Sequence, residues 1–442
     1  MRSDQQQAIN RLAGTSATAF LCAVLCVYPL YIDKFSNLGV TKFTGCFTLF
    51  LLFLLWLVAC TAIGARAPRP RNANAGRDVT LWGVLAFAGT SLISTVTSLS
   101  PTASTWGLGG YYGGLMLVLF TAAGYWAVRS YLDLENLDFI FWVLGITTSI
   151  VAVLYVLNIF NIDLIGAYAD TAVVERAQFF STLGQKDFNG CFFSVALPIV
   201  FYQFLNAKDT RTAVWTGIPA AFGALALAVV DSEALALGIG AAVMVLVCHK
   251  NFTTRHLRRA ALISAEFFGW AAWMHYMRAS VYTQGGTALL AKLGAWQVAL
   301  PCMAASLLLW LVLFVLARKG IAAQVPLYLP GRVITIAVLA VGALAFVLAN
   351  AMPNLPLPES LHNLLVFNDD WGTYRGVAWR AAFGTWADGS LLRKIVGIGP
   401  GMMHTAVAAW AGDAMTARMA TFYAAHNEYL EQLLTTGILG LA

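Results

Sequence analysis

Apolar residues in this chain do not alternate with polar ones; they come in long unbroken runs separated by short polar stretches. Eleven runs of spanning length lie at about 16–33, 42–63, 78–98, 109–128, 137–160, 188–206, 213–230, 234–248, 260–277, 297–317 and 333–352, with an incomplete one at 426–442. About 20 apolar residues in helix cross the hydrocarbon core of a bilayer, whereas barrel strands would read as ten-residue segments of alternating polarity. The pattern predicts an all-α polytopic membrane protein of about 12 transmembrane helices. Residues 427–442 would rise only about 24 Å against a core of about 30 Å, so a C-terminal truncation is expected.

Composition agrees with the pattern. Of 442 residues, 59% are hydrophobic and 11% charged, against roughly 45–50% and about 25% in a soluble domain. That excludes a soluble enzyme, a disordered chain and a nucleic-acid binder. The net charge of +6 matters only through the loops that carry it. With the N-terminus inside, the inner segments hold sixteen basic residues, among them Arg66, Arg69, Arg71, Arg77, Arg129, Arg255, Arg258 and Arg259. The short outer loops hold six: Lys34, Lys42, Arg176, Lys186, Arg278 and Lys292. Five more (Arg375, Arg380, Arg393, Lys394, Arg418) fall in one long outer loop. The bias in short loops fixes a cytoplasmic N-terminus. The seven cysteines sit in or beside apolar runs without metal spacing and read as small packing residues.

This topology divides the chain into residues 1–160 with helices one to five, and 161–352 with helices six to eleven behind an outer loop. A large extracytoplasmic loop (353–425) and the start of the final helix (426–442) follow. The segments 161–187 and 353–425 are long, and long loops in compact proteins are usually functional. Both lie on the extracytoplasmic side.

Three polar stretches can carry chemistry there. In HNEYLEQLLTTGILGL, a helix from His426 would place His426, Leu430 and Gly437 on one face. A histidine anchoring a helix at the headgroup level would look the same. Against that, His426, Asn427, Glu428 and Glu431 cluster at a helix N-terminus, which favours anions, and histidine accepts protons near neutral pH. In WGTYRGVAWR (371–380), Arg375 offers a planar fork suited to phosphate, with a surface ion pair as the plainer alternative. In VGIGPG, Gly397, Gly399 and Gly401 allow close backbone approach to an oxyanion, as a flexible loop would too. In ERAQFFSTLGQKDFNG (175–190), Arg176, Gln185, Lys186, Asp187 and Asn189 make a polar mouth or a solvated loop end. Asp231-Ser232-Glu233 reads as a turn and helix cap, and Glu266 as a residue snorkelling toward the inner surface near Arg259.

The order R-x-x-F-x-S-T-L-G-Q, W-G-x-x-R-G-x-x-W, G-x-G-P-G and H-N-E-Y-L-E-x-x-x-x-x-G-I-x-G resembles the O-antigen ligase / polymerase family over roughly residues 175–442. Weaker echoes occur in STVTS…GLGGYYGGL at 94–115. The resemblance implies a GT-C-like membrane glycosyltransferase with a long extracytoplasmic loop before its last helix. Such an enzyme moves an oligo- or polysaccharide from an undecaprenyl-pyrophosphate carrier to an acceptor hydroxyl, inverting, without metal or other cofactor. It implies His426 as base, with Glu428 competing for that role or orienting it. It implies Arg176 and Arg375, with Gly399 and Gly401, on the donor pyrophosphate, and Asp187 and Asn427 as supporting polar groups. Partners would be the lipid-linked donor, a glycan or lipid-glycan acceptor and the bilayer, in cell-envelope polysaccharide biosynthesis. The chain departs from the family at Gly184-Gln185-Lys186-Asp187, where many members show G-N-x-N. It also has Ser232-Glu233 where many ligases carry S-R, so a phosphate-binding arginine is missing there. A repeat-unit polymerase is the alternative within the class; a transporter of lipid-linked sugars is the alternative outside it.

Overall fold

The computed structural model describes residues 2–63, 78–108, 110, 112–280, 288–321, 324–352, 355–416 and 422–442. Arg66, Arg69, Arg71, Arg77 and Arg418, counted above for orientation, lie outside the described residues, as do Gly109 and Tyr111.

Helix accounts for 79% of the structure, which makes the protein all-α. Eight helices among the described residues are long and apolar enough to cross a membrane. They are Gln6–Leu30, Phe35–Cys60, Val79–Val96, Leu134–Ile159, Lys186–Asn206, Thr210–Val229, Trp296–Arg318 and Tyr328–Ala351. Each overlaps an apolar run, as expected where every backbone N–H must be satisfied within its own segment. In Tyr328–Ala351 only 11% of the most apolar window is buried in the protein, and Val333, Ile336 and Val341 stand about two-thirds exposed. A helix this apolar and this uncovered needs a nonpolar surrounding. The architecture is that of a multi-pass membrane protein.

Three further runs form helices that fall short of this standard. Leu115–Tyr131 has 17 residues and Glu233–Cys248 has 16. Thr254–Ser280 has 27, but it carries Arg255, Arg258, Arg259, Glu266 and Arg278. Arg259 is structural: its Nη1 donates to the carbonyls of Phe204, Leu205 and Ala207 at 2.7–3.0 Å. It thereby caps the end of the Lys186–Asn206 helix, where carbonyls lack intrahelical donors.

The described helices group into two compact units that interleave along the chain. The first comprises Met1–Phe20, Phe43–Asp133 and Leu339–Ala442; the second comprises Leu21–Lys42 and Leu134–Val338. A core of the first packs Val377, Ala378, Ala381, Met403, Val407 and Leu434. The core of the second is built on Val151, Tyr155, Phe193, Leu197, Val229 and Met274.

Candidate functional site

In the first unit, the segment following His426 is not the single helix expected from sequence. The helix begins at Glu428, because Asn427 caps it: Asn427 Oδ1 accepts from the N–H groups of Tyr429 (3.1 Å) and Leu430 (3.3 Å). It stops after Thr435, and a second short helix, Gly437–Leu441, follows. Gly437 takes φ 69° and comes so close to the Ile395 carbonyl that a side chain would collide with it. His426 therefore stands outside the apolar helical stripe, exposed, with φ 51°. Glu428 lies on the helix surface, its Oε1 accepting from Gln432 Nε2 at 2.6 Å.

The Gly397–Gly401 segment forms a packing seam. Gly397 N–H donates to Arg393 O (2.8 Å), Ile398 N–H to Leu434 O (3.1 Å) and Gly399 N–H to Thr435 O (2.9 Å). Ser94 Oγ donates to Thr435 O (2.6 Å) and Ser98 Oγ to Ile398 O (2.7 Å). Gly399 has φ 109°, and a Cβ there would lie 2.5 Å from Ser104 Oγ. A Cβ on Gly401 would lie 2.8 Å from Gly107 Cα. These glycines permit backbone approach, as their spacing suggested, but the approaching group is protein. The N–H groups of Gly397 and Gly399 are both engaged by protein carbonyls. The S-T-V-T-S segment at 94–98 is the other half of the same seam.

Arg375 occupies an irregular opening turn of the Trp371–Ala387 helix. Gly372 and Tyr374 have φ 59° and 69°, and Val377 N–H reaches back to Asp369 O at 3.1 Å. The excursion closes only because Gly376 has no side chain to strike the Asn368 carbonyl. Arg380, one turn beyond Gly376, is paired with Asp369. Trp379 links this turn to the histidine segment: its Nε1 donates to Ala425 O at 2.9 Å. Its ring also packs against Trp371 (5.0 Å) and Phe367 (6.0 Å). The Ala425 N–H donates to Glu431 Oε2 at 2.7 Å, and Phe422 meets the His426 ring edge-on at 5.9 Å. Ala425 is thus fixed through both its backbone groups, and His426 follows directly. His404 lies in the same cluster, stacked on Tyr423 at 4.4 Å, with Nδ1 donating to Phe422 O at 3.0 Å. In the neutral ring that bond places the proton on Nδ1 and leaves Nε2 as an acceptor. His404 was missed in the sequence because nothing around it reads as a motif.

The second unit holds Arg176 and Asp187. Arg176 lies on a short 3-10 turn, Val173–Gln178, with its guanidinium 5.5 Å from the centre of the buried Tyr168 ring. Its Nε is buried and has no hydrogen-bond partner among the described residues. Burial and the Asp163 carboxylate push the Tyr168 hydroxyl above the usual phenol range, with Arg176 acting in the opposite direction. A two-residue antiparallel hairpin pairs Phe179–Phe180 with Gly184–Gln185. Asn189, which sequence put in the polar mouth, is fully buried and ties this hairpin together. Its Nδ2 donates to the carbonyls of Phe180, Gly184 and Gln185 at 3.0–3.1 Å. Its Oδ1 accepts from Ser181 Oγ at 2.5 Å. Asp187 Oδ1 accepts from Ser232 Oγ at 3.1 Å.

A cavity of about 380 Å³ opens beside the hairpin, lined by Tyr155, Gln178, Gln185, Lys186, Asp231 and Arg278 with apolar neighbours. Lys186 Nζ stands 3.9 Å from Asp231 Oδ2. The expected sites thus sort by unit: Arg375, Gly399, Gly401, His426, Asn427 and Glu428 in the first, Arg176 and Asp187 in the second. Among the described residues no three His, Cys, Asp or Glu side chains converge as a metal site. No protein-family model, curated protein or solved structure matches the chain.

Proposed function

We propose that this protein is a GT-C-like membrane glycosyltransferase of the O-antigen ligase type. It takes a glycan from a polyprenyl-pyrophosphate carrier and passes it to an acceptor hydroxyl at the extracytoplasmic face. About twelve spans belong to this reading. The three helices at Leu115–Tyr131, Glu233–Cys248 and Thr254–Ser280 sit on apolar runs and bring the eight spanning helices to eleven.

The observation that carries the proposal is the backbone of His426. A residue with a side chain at φ 51° costs on the order of 1–3 kcal/mol and persists only where its surroundings over-determine it. Here they do: Ala425 is held through both its N–H and its carbonyl, and Asn427 is fixed as a helix cap. Such strain gathers at functional positions. The result is an exposed imidazole on a rigid frame, beside an arginine-bearing turn that is itself strained at Tyr374.

In the reaction, the acceptor oxygen attacks the anomeric carbon as His426 takes its proton. The bond from that carbon to the carrier pyrophosphate breaks, and the configuration inverts. Charge grows on the leaving pyrophosphate, so a fixed cation stabilises the transition state more than the ground state; Arg375 is the group for this task. The resemblance gives Glu428 as a competing base or the group orienting His426; on the helix surface its carboxylate accepts from Gln432.

His426→Ala tests the reading. Removing a general base typically costs about 10²–10⁴-fold in rate. Transfer from a purified lipid-linked donor should fall by that much while thermal melting in detergent stays unchanged. Retained activity in His426→Ala would rule His426 out, and His404→Ala would then be the next variant to measure.

A further inference from the structure

The cavity of the second unit is assembled from three distant parts of the chain. Lys186 opens the helix after the hairpin, Asp231 lies between Thr210–Val229 and Glu233–Cys248, and Arg278 ends Thr254–Ser280. Tyr155 and Phe180 form its aromatic lining, stacked at 4.7 Å and almost fully buried. Gln178 and Gln185 add two amides. Its volume of about 380 Å³ falls at the low end of the roughly 300–1,000 Å³ of small-molecule sites.

The charges select the ligand. Lys186 and Arg278 supply two positive charges, and Asp231 returns one negative, 3.9 Å from Lys186. The lining therefore carries one more positive charge than negative, with the Asp187 carboxylate, bonded to Ser232, outside it. Arg278 Nε is buried without a hydrogen-bond partner among the described residues. Leaving a buried donor unpaired is costly, and a guanidinium pairs best with a two-oxygen acceptor. A carboxylate brings one negative charge and two such oxygens. A phosphate monoester brings about 1.5 to 2 negative charges, more than the cavity balances. The Gln178 and Gln185 amides suit the hydroxyl edge of a sugar.

We propose that this cavity binds an acidic sugar residue of the glycan. Arg278 holds its carboxylate with help from Lys186, and Gln178 and Gln185 meet its hydroxyls. The inference rests on the glycan-transferase reading for its biological setting but not for its chemistry, since it concerns binding alone. It names the substrate class: a polymer containing uronic-acid-type units.

The test is equilibrium binding of free glucuronate, glucose and inorganic phosphate to the full-length protein in detergent, by calorimetry. Glucuronate should bind at least tenfold more tightly than either of the others. His426→Ala should bind glucuronate as the unaltered protein does, so a failed transfer reading would leave this result standing. Arg278→Gln should lose at least tenfold in glucuronate affinity. If that variant does not fold, Lys186→Gln should show a smaller loss in the same direction. Glucose binding as well as glucuronate would overturn the proposal, and so would phosphate binding as well or better. An Arg278→Gln protein with unchanged affinity would also overturn it.

Discussion

Gly399→Ala is the substitution that separates a packing seam from a phosphate cradle. At φ 109° a residue with a Cβ pays roughly 1–3 kcal/mol in backbone strain. The new methyl would lie 2.5 Å from Ser104 Oγ and 2.8 Å from Ser98 Oγ, and such overpacking typically costs about 1–3 kcal/mol more. The expected loss is at least about 2 kcal/mol, equivalent to a melting shift of roughly 4–8 °C in a body of 150–250 residues. Gly342→Ala is the control. It lies within the Tyr328–Ala351 helix, and a Cβ there meets nothing within 4 Å, so alanine should stabilise by ~0.5–1 kcal/mol. Thermal unfolding in mild detergent, read as loss of the monodisperse size-exclusion peak, ranks the three proteins. An alanine at position 399 keeps its N–H. If Gly399 instead served a phosphate, the variant would melt with the unaltered protein and lose donor use; that pattern would refute the seam.

Asn189→Ala should destabilise the second unit by about 4 kcal/mol, from three abandoned carbonyls and a hydroxyl at roughly 1 kcal/mol each. A melting point unchanged from the parent would show that the hairpin does not depend on this side chain. Asp209, which caps Thr210–Val229, has its carboxyl held below the usual range by hydrogen bonds from the Thr212 N–H and hydroxyl. A depressed carboxyl stabilises the fold above its unfolded pKa of about 3.9 and loses that effect as pH falls through the folded value. Asp209→Ala should therefore melt below the parent at pH 7, with the gap closing below about pH 4; a gap independent of pH would contradict this.

Apolar runs such as 188–206 and 333–352 were legible because a bilayer enforces helix on any long apolar segment. Thr254–Ser280 shows the limit: its run was legible as helix, but the capping of a neighbouring helix by Arg259 was not. Gly399 and Gly401 were legible as positions of close approach. What approaches them was not, since Ser104 and Gly107 lie some three hundred residues away in sequence. Asn427 and Gly437 carry the signals that start and break the terminal helices, and the apolar periodicity between them masked both. Arg278 could only be counted as one more basic residue, because its cavity partners Tyr155, Lys186 and Asp231 come from other segments. His404 carries no signal at all until Tyr423 is folded beneath it.

The hydrogen bond from Ser94 to Thr435 joins residues 341 positions apart, and that separation is also a delay. At about 5–20 residues per second of synthesis, the serine is made roughly 20–70 s before its acceptor exists. Through that interval the Ser94 hydroxyl has only local partners such as the carbonyls of its own helix. An early helix is thus left unfinished until a late segment arrives to claim its polar stripe. The seam is therefore a late joint: it closes only once residue 435 has been made.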